Sequence, residues 1–129
     1  PANVFDKRFL NKKLLKKLKE KNINIFVRSV FLKGILINKK FRNNKKFFDR
    51  YNKEFNFYEK WLEKKNIINK KFFCINYILA KKIKNVVIGF DNFNEYKEIA
   101  NFQNEKYAYP PNFVKLQSDK NRLLRPDLW

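Results

Sequence analysis

The residues of this chain best suited to chemistry follow two apolar segments. Ser29, Lys33 and Gly34 come at or just after the end of the segment 24–30, and Gly89 ends a second apolar segment, NVVIG. A hydroxyl, an ammonium group and a backbone without a side chain are features that bind phosphate. The same glycines are typical of tight turns, so the pattern leaves phosphate binding and turn formation as alternatives.

The composition excludes several kinds of catalysis. The chain has no histidine, which rules out Ser–His nucleophilic pairs and histidine-ligated zinc within its 129 residues. Its one cysteine, Cys74, lies in the apolar run FFCINYILA, so we expect a buried, unreactive thiol and no internal disulfide. These features favour a reducing cytoplasm, and we predict no metal site. Because the chain has no methionine and begins at Pro1, we expect a piece of a longer protein, although a processed chain would have the same sequence.

The formal charge of +19 would ordinarily indicate a nucleic acid or an anionic surface as the partner. The lysines, however, are scattered along the chain, and the abundant Lys, Asn, Ile and Phe are all encoded by A/T-rich codons. We therefore favour a compositional origin of the charge and predict no specific nucleic-acid partner. We also predict no membrane partner, because no segment has the roughly 18 uninterrupted apolar residues of a membrane helix.

Hydrophobic spacing predicts helices that alternate with strands. The segments 24–30 and 85–89 are continuously apolar, which predicts strands covered on both faces. Asn92 and Glu95 have the spacing of a capping box, which predicts a helix over 93–103 with Tyr96, Ile99 and Ala100 inward. Three further helices are predicted over 8–21, with Leu10, Leu14, Leu15 and Leu18 on one face; over 47–64, with Phe47, Tyr51, Phe55, Tyr58 and Leu62 inward; and over 70–83, largely buried.

This order predicts an α/β fold with a parallel sheet, either open or closed into a barrel. In such folds ligands bind at the carboxyl ends of the strands. We therefore expect both glycines at one edge of the sheet. After about residue 107 the prolines predict an irregular tail with one short helix at most.

Four segments, in this order, resemble the carboxyl half of the aldo/keto reductases: NVFDKRF, LKKLKEKNINIFVRSVFLKGILI, VVIGFDNFNEYKEI and the closing RPDLW. The family fold is a (β/α)8 barrel of about 250 residues. The resemblance implies that residues 1–129 are the carboxyl-terminal part of one barrel domain, a partial TIM barrel with its last strands and helices. It places residues 1–9 at the end of the sixth strand and in the loop that follows, 24–30 in the seventh strand and 85–89 in the eighth. The implied partner is the amino-terminal half of the same barrel.

The resemblance also implies a site for NADP or NAD. Ser29 matches the serine of the family's seventh-strand pattern, and Phe31, Lys33 and Gly34 match the loop that covers the pyrophosphate. Arg28 occupies the position at which many members carry an aromatic residue that stacks on the nicotinamide. The pattern GxxxxxQxxEN, around the adenosine phosphate and adenine, is matched at Gly89, Phe90, Asp91, Glu95 and Glu98.

Two departures from the family pattern concern the choice of cofactor. Asp91 and Glu95 lie where many members place basic or neutral residues near the 2'-phosphate, which a carboxylate would repel. Ile99 replaces an asparagine near the adenine. The preference between NAD and NADP therefore stays open.

The implied function is the cofactor-binding half of an NAD(P)-dependent oxidoreductase that reduces carbonyls or oxidises alcohols, with a small-molecule carbonyl substrate. The family's catalytic Asp, Tyr, Lys and His come from the amino half, so the resemblance implies no catalytic residue here. Two alternatives remain: a basic nucleic-acid-binding protein, whose aromatic residues would have to be exposed, and a non-catalytic structural domain.

Overall fold

Asparagine side chains set where three of the helices begin. In the computed structural model, which describes residues 1–43, 45–102, 107, 110–114 and 120–129, Asn11 Oδ1 accepts hydrogen bonds from the N–H groups of Lys13 and Leu14. Asn69 and Asn92 bond in the same way to the N–H groups three residues later. Each asparagine thus satisfies N–H groups that have no partner inside the helix.

The described elements alternate as the sequence predicts, with shorter bounds. In chain order they are α1 (Lys12–Glu20), β1 (Phe26–Val27), α2 (Lys40–Asn43), a 3-10 helix (Lys46–Tyr51) that leads into α3 (Asn52–Lys64), α4 (Lys70–Leu79), β2 (Asn85–Val86), α5 (Phe93–Ala100) and two 3-10 helices (Lys120–Leu124 and Pro126–Leu128). The predicted helices over 8–21, 70–83 and 93–103 end earlier than expected, and α2 was not predicted. Of the predicted irregular tail, residues 108–109 and 115–119 lie outside the described residues, and the described part contains two 3-10 helices where one short helix at most was expected.

The core forms around the aromatic face of α3. Tyr51, Phe55, Tyr58 and Leu62 are buried, which confirms the inward stripe, and Phe47 is half-buried. The Tyr58 hydroxyl donates a hydrogen bond to the Leu36 carbonyl (3.1 Å), and its oxygen lies 3.9 Å from Cys74 Sγ on α4. Residues 73–78 of α4 are buried, as predicted, so Cys74 is a core residue.

A buried carboxylate joins three helices. Glu59 on α3 lies 2.5 Å from Arg42 Nη2 on α2 and 2.5 Å from Lys70 Nζ on α4. Burial alone would raise the pKa of Glu59, but the hydrogen bonds from Lys70 and Arg42 hold it below its usual value. Arg42 is also buried and lies over the Phe55 ring, 4.3 Å from its centroid. The helices that follow β1 are therefore fixed to one another by charge as well as by aromatic packing.

The two strands are parallel neighbours, as predicted. Phe26 pairs with Asn85 and Val27 with Val86. On the other side of β1, the Ala2 N–H donates to the Arg28 carbonyl (3.1 Å) and the Asn3 side chain donates to the Ser29 carbonyl (3.0 Å). Both contacts advance in the same chain direction, so β1 lies between the segment 1–3 and β2.

The predicted burial of both strand faces is wrong in the described chain. Val27 is buried, but Phe26 is 66% exposed and Val87, directly after β2, is 54% exposed. In the described chain, the two apolar strands are therefore covered on one face only. The inward face predicted for α5 is also wrong at Tyr96 and Ala100, which are exposed, while Ile99 is half-buried. The helix α5 lies over the edge of the core without entering it.

Candidate functional site

The register of the strand pair brings the two predicted loops to one edge of the sheet. The Val87 N–H donates to the Val27 carbonyl (2.8 Å), so the chain leaves β1 at Arg28 beside the point where it leaves β2. Because the strands are parallel, Ser29 and Gly89 follow their carboxyl ends on the same side. Along the chain, Gly34 and Gly89 therefore come after the ends of two neighbouring strands.

The loop after β1 has an unusual backbone. Ser29, Leu32 and Lys33 have φ values of +63°, +48° and +50°, and Gly34 has φ +83°. Residues other than glycine rarely adopt positive φ, at a cost of about 1–2 kcal/mol each. Strain of this kind persists only where the surrounding structure enforces it, and it is concentrated at ligand-binding segments. The sequence leaves a turn and a phosphate-binding loop as alternatives, and the backbone of this loop is compatible with both.

Gly34 is required by the fold itself. A Cβ atom built on Gly34 would lie 2.8 Å from two carbon atoms of the Phe41 ring, and φ +83° already disfavours any other residue. Phe31, also predicted as a site residue, is half-buried, and its carbonyl accepts a hydrogen bond from the Leu36 N–H (3.3 Å). These two residues shape the loop.

Ser29 and Lys33 present the polar groups of this loop. The Ser29 carbonyl accepts hydrogen bonds from the Leu32 N–H and the Asn3 side chain, while its hydroxyl accepts one from Arg28 Nη1 at 3.3 Å. Lys33 is exposed. Its positive charge adds to the lowering of the Asp127 pKa, which is due first to hydrogen bonds from Arg125.

Gly89 lies in open space after β2. It is exposed, and a Cβ atom built on it would have no atom within 4 Å. Packing therefore does not explain the glycine at this position.

Three exposed aromatic rings lie close to Gly89 in the chain. Phe90 packs edge-on against Tyr96 with ring centroids 5.6 Å apart, and Phe93 stacks on Tyr96 at 5.9 Å. All three are 41–65% exposed, and Lys97 Nζ lies 4.7 Å from the Phe93 centroid. Sequence reasoning missed Phe93 and Tyr96, although their spacing, i to i+3, places both on one helix face.

The three acidic site residues on or before α5 have different surroundings. Glu95 forms half of the predicted capping box: its N–H donates to Asn92 Oδ1, but its carboxylate accepts the N–H of Asp91, one residue before the cap, at 3.1 Å. Glu98 forms an ion pair with Lys71 on α4 (2.6 Å). Asp91 is exposed and contributes its backbone to the cap. Asp91 is thus the carboxylate of the three whose side chain is not used in these contacts.

Two Asp–Arg pairs were not predicted. Arg8 forms a bidentate pair with the buried Asp6, at 2.9 and 2.7 Å, and Arg125 forms one with Asp127, at 3.0 and 2.6 Å. The signal in the sequence is a short one: DKR and RPD each place an arginine two residues from an aspartate. The Asn3 side chain also accepts the N–H groups of Phe5 and Asp6, which fixes the loop carrying the first pair.

Comparison of the chain with protein-family models, with curated proteins and with solved structures gave no match. Within the described residues, no group of three metal-ligating side chains comes together, and none of the described helices has the length and apolar character needed to cross a membrane.

Proposed function

We propose that this chain forms the carboxyl-terminal part of an aldo/keto reductase barrel and is the cofactor-binding half of an NAD(P)-dependent oxidoreductase. The substrate is a small-molecule carbonyl compound or the corresponding alcohol. A bound nicotinamide dinucleotide supplies the hydride chemistry. The residues of this chain bind and orient it, and the catalytic groups come from the amino-terminal half of the barrel.

The order of three neighbouring chain segments is the observation that carries the proposal. Segment 1–3, β1 and β2 lie side by side, with β1 in the middle, and the chain between them is helical. A barrel places its sixth, seventh and eighth strands in this order, with the ligand at their carboxyl ends. The strained loop after β1 and the open glycine after β2 both lie at that end.

The uncovered apolar surfaces support the amino-terminal half as the partner. Phe26 and Val87 are exposed on the sheet, and an apolar cavity of about 240 Å³ lies between α1 and β1, lined by residues that include Phe9, Leu14 and Ile83. Burying such side chains contributes about 1.5–3 kcal/mol each. Further barrel strands and helices would cover these surfaces.

The polar and aromatic residues that follow the two strands support a dinucleotide as the ligand. In this proposal Ser29, Lys33 and Gly34 bind the pyrophosphate, and the exposed rings of Phe90 and Tyr96 receive the adenine, since stacking of a base on an aromatic ring is worth about 1–3 kcal/mol. Gly89, Asp91, Glu95 and Glu98 surround the adenosine end, with Phe31 shaping the loop. The exposed carboxylate of Asp91 disfavours a 2'-phosphate.

Titration with ADP tests the proposal on the chain itself, because ADP carries both the adenine and the pyrophosphate. We expect measurable binding by calorimetry, and weaker binding of the 2'-phosphorylated analogue. Gly89→Val should weaken ADP binding about tenfold, while Ala100→Val, at a position that is also exposed but lies at the far end of α5, should not change it. No ADP binding to the unmodified chain would contradict the proposal and favour a non-catalytic domain.

A parallel titration with DNA addresses the other alternative. Since the charge is scattered, we expect weak binding that is lost steeply with added salt. Sequence-selective binding at physiological salt would instead support a nucleic-acid-binding protein.

A further inference from the structure

A polar cavity of about 280 Å³ lies between α2 and α3, and none of its lining residues is assigned to the cofactor. Its volume is close to the lower end of the range for small-molecule sites, about 300–1,000 Å³. Seven of its nine lining residues are polar, and the buried rings of Phe48 and Phe55 form its floor. Facing helices ordinarily meet through apolar residues. Helix packing therefore does not explain these walls.

The α3 wall of the cavity is a polar stripe. Asn52, Asn56 and Glu59 are spaced at i, i+4 and i+7, which places them on one face of the helix. Asp49, three residues before Asn52, extends the stripe and also lines the cavity. The stripe thus leads from a carboxylate at one end, past two amide groups, to Glu59 at the other.

The end of the cavity at Glu59 has a surplus of positive charge. Arg42 Nη2 lies 2.5 Å from Glu59 Oε1, while Lys70 Nζ and Lys39 Nζ lie 2.5 and 3.7 Å from Oε2. Three cations therefore meet one carboxylate. The Lys39 side chain is 54% exposed, and 3.7 Å is longer than a hydrogen bond, so its ammonium group is available to another acceptor.

Arg42 is held in place on the opposite wall. It is buried, its guanidinium group lies 4.3 Å from the Phe55 centroid, and Nη1 donates to the Ile35 carbonyl at 3.3 Å. With the bond to Glu59, this uses two of the five N–H donors of the guanidinium group. Planar guanidinium groups fixed in this way favour oxyanions as ligands.

We propose that this cavity binds a small organic acid that has one carboxylate and an amide or hydroxyl group. The carboxylate contacts Lys39 and Arg42, where the surplus of positive charge neutralises it. The amide or hydroxyl group bonds to Asn56 and Asn52, and the rings of the floor contact the carbon skeleton. Asp49 disfavours a second carboxylate at the far end. The inference goes beyond the proposed function and does not depend on it.

Succinamate is the probe, and succinate, which has a second carboxylate in place of the amide, is its comparison. Binding is followed by NMR through the side-chain NH₂ signals of the asparagines at constant ionic strength. We expect succinamate to bind about threefold more tightly than succinate, because it gains amide hydrogen bonds and avoids repulsion by Asp49. Diffuse attraction to a chain of charge +19 would instead favour the dianion. Tighter binding of succinate, or no saturable binding of either acid, would overturn the inference.

Two substitutions test the ends of the proposed ligand. Lys39→Gln should weaken succinamate binding about fivefold or more. Lys40→Gln is the matched control, because it removes the same charge from an exposed neighbour that does not line the cavity, and it should change the affinity by less than about twofold. Asn56→Ala should weaken binding about threefold. Lys39 and Asn56 are exposed, so both variants should fold, which urea denaturation verifies. Equal losses in the two lysine variants, or an unchanged affinity in Asn56→Ala, would contradict the proposed site.

Competition with two other anions defines the ligand and separates this site from the proposed function. Succinamate and ADP should bind independently. If ADP displaces succinamate, the cavity binds the cofactor and the inference is wrong. If inorganic phosphate binds as tightly as succinamate with the same dependence on Lys39, the assignment to an organic acid is also wrong. If ADP does not bind while succinamate binding keeps its dependence on Lys39, the acid site stands and the proposed function fails.

Discussion

Replacing Gly34 by alanine or valine should destabilise the fold, while the same changes at Gly89 should not. At Gly34 the new side chain meets two costs: about 1–2 kcal/mol for a left-handed backbone at φ +83°, and about 1–2 kcal/mol for moving the Phe41 ring, which is 49% exposed and lies 2.8 Å from the added Cβ atom. We expect a loss of about 2–4 kcal/mol in the free energy of unfolding for Gly34→Val. At Gly89 neither cost arises, so the change should stay within about 0.5 kcal/mol.

Urea denaturation followed by tryptophan fluorescence measures both changes, since Trp61 and Trp129 contact the core. A double-mutant cycle with Phe41→Ala separates the two costs at Gly34. Removing the ring should recover the steric part and leave the backbone part. If Gly34→Val unfolds at the same urea concentration as the unmodified chain, the assignment of Gly34 to the fold is refuted, and ligand approach would explain both glycines.

Three other changes test individual groups of the structure. Glu59→Gln should lower the free energy of unfolding by about 3 kcal/mol, because it leaves Arg42 buried without its carboxylate. Since the pKa of Glu59 is lowered in the folded chain, the stabilisation that Glu59 contributes should be complete above the pKa of an unfolded glutamate and be lost as the pH falls through the folded value. If acid lowers the stability of the variant and of the unmodified chain by the same amount, this assignment is contradicted. Burial raises the pKa of Cys74 to about 12, so at pH 8 a thiol reagent should modify the folded chain far more slowly than the urea-unfolded chain, and equal rates would refute a core position. Asp91→Arg should strengthen binding of the 2'-phosphorylated analogue of ADP about tenfold relative to ADP, because it exchanges repulsion for a charge-assisted hydrogen bond; an unchanged ratio in calorimetry would place the 2' position elsewhere.

Local rules predicted the elements of this chain better than their surroundings. The capping asparagine Asn92 and the aromatic stripe on α3 depend on neighbours within one or two turns, and both occur as predicted. Helix ends were less predictable: α1 begins at Lys12 because Asn11 caps it. The predicted burial of Tyr96 is wrong because helical spacing identifies which residues share a face and does not specify whether another element covers that face.

The candidate site shows the same division between local and long-range information. The loop residues Ser29 and Gly89 could be found from the apolar segments that precede them, since parallel strands bring their ends together. The bidentate pairs Asp6–Arg8 and Arg125–Asp127 could not be identified in this way. Charge pairs two residues apart are too common in so basic a sequence to identify a site.

The exposed sheet face is where the sequence and the structure disagree most, and the disagreement supports the proposed barrel. An exposed antiparallel strand would alternate polar and apolar residues, whereas NIFV and NVVIG are apolar on both faces. Burying Phe26 and Val87 would contribute about 3–6 kcal/mol together, a large fraction of the stability of a small domain. A layer of further barrel elements over this face would therefore explain why the two strands are apolar on a face that the described chain leaves exposed. Because barrel strands pack their inner faces against one another, closure by the amino-terminal half would bury these residues directly beneath the edge that carries Ser29 and Gly89.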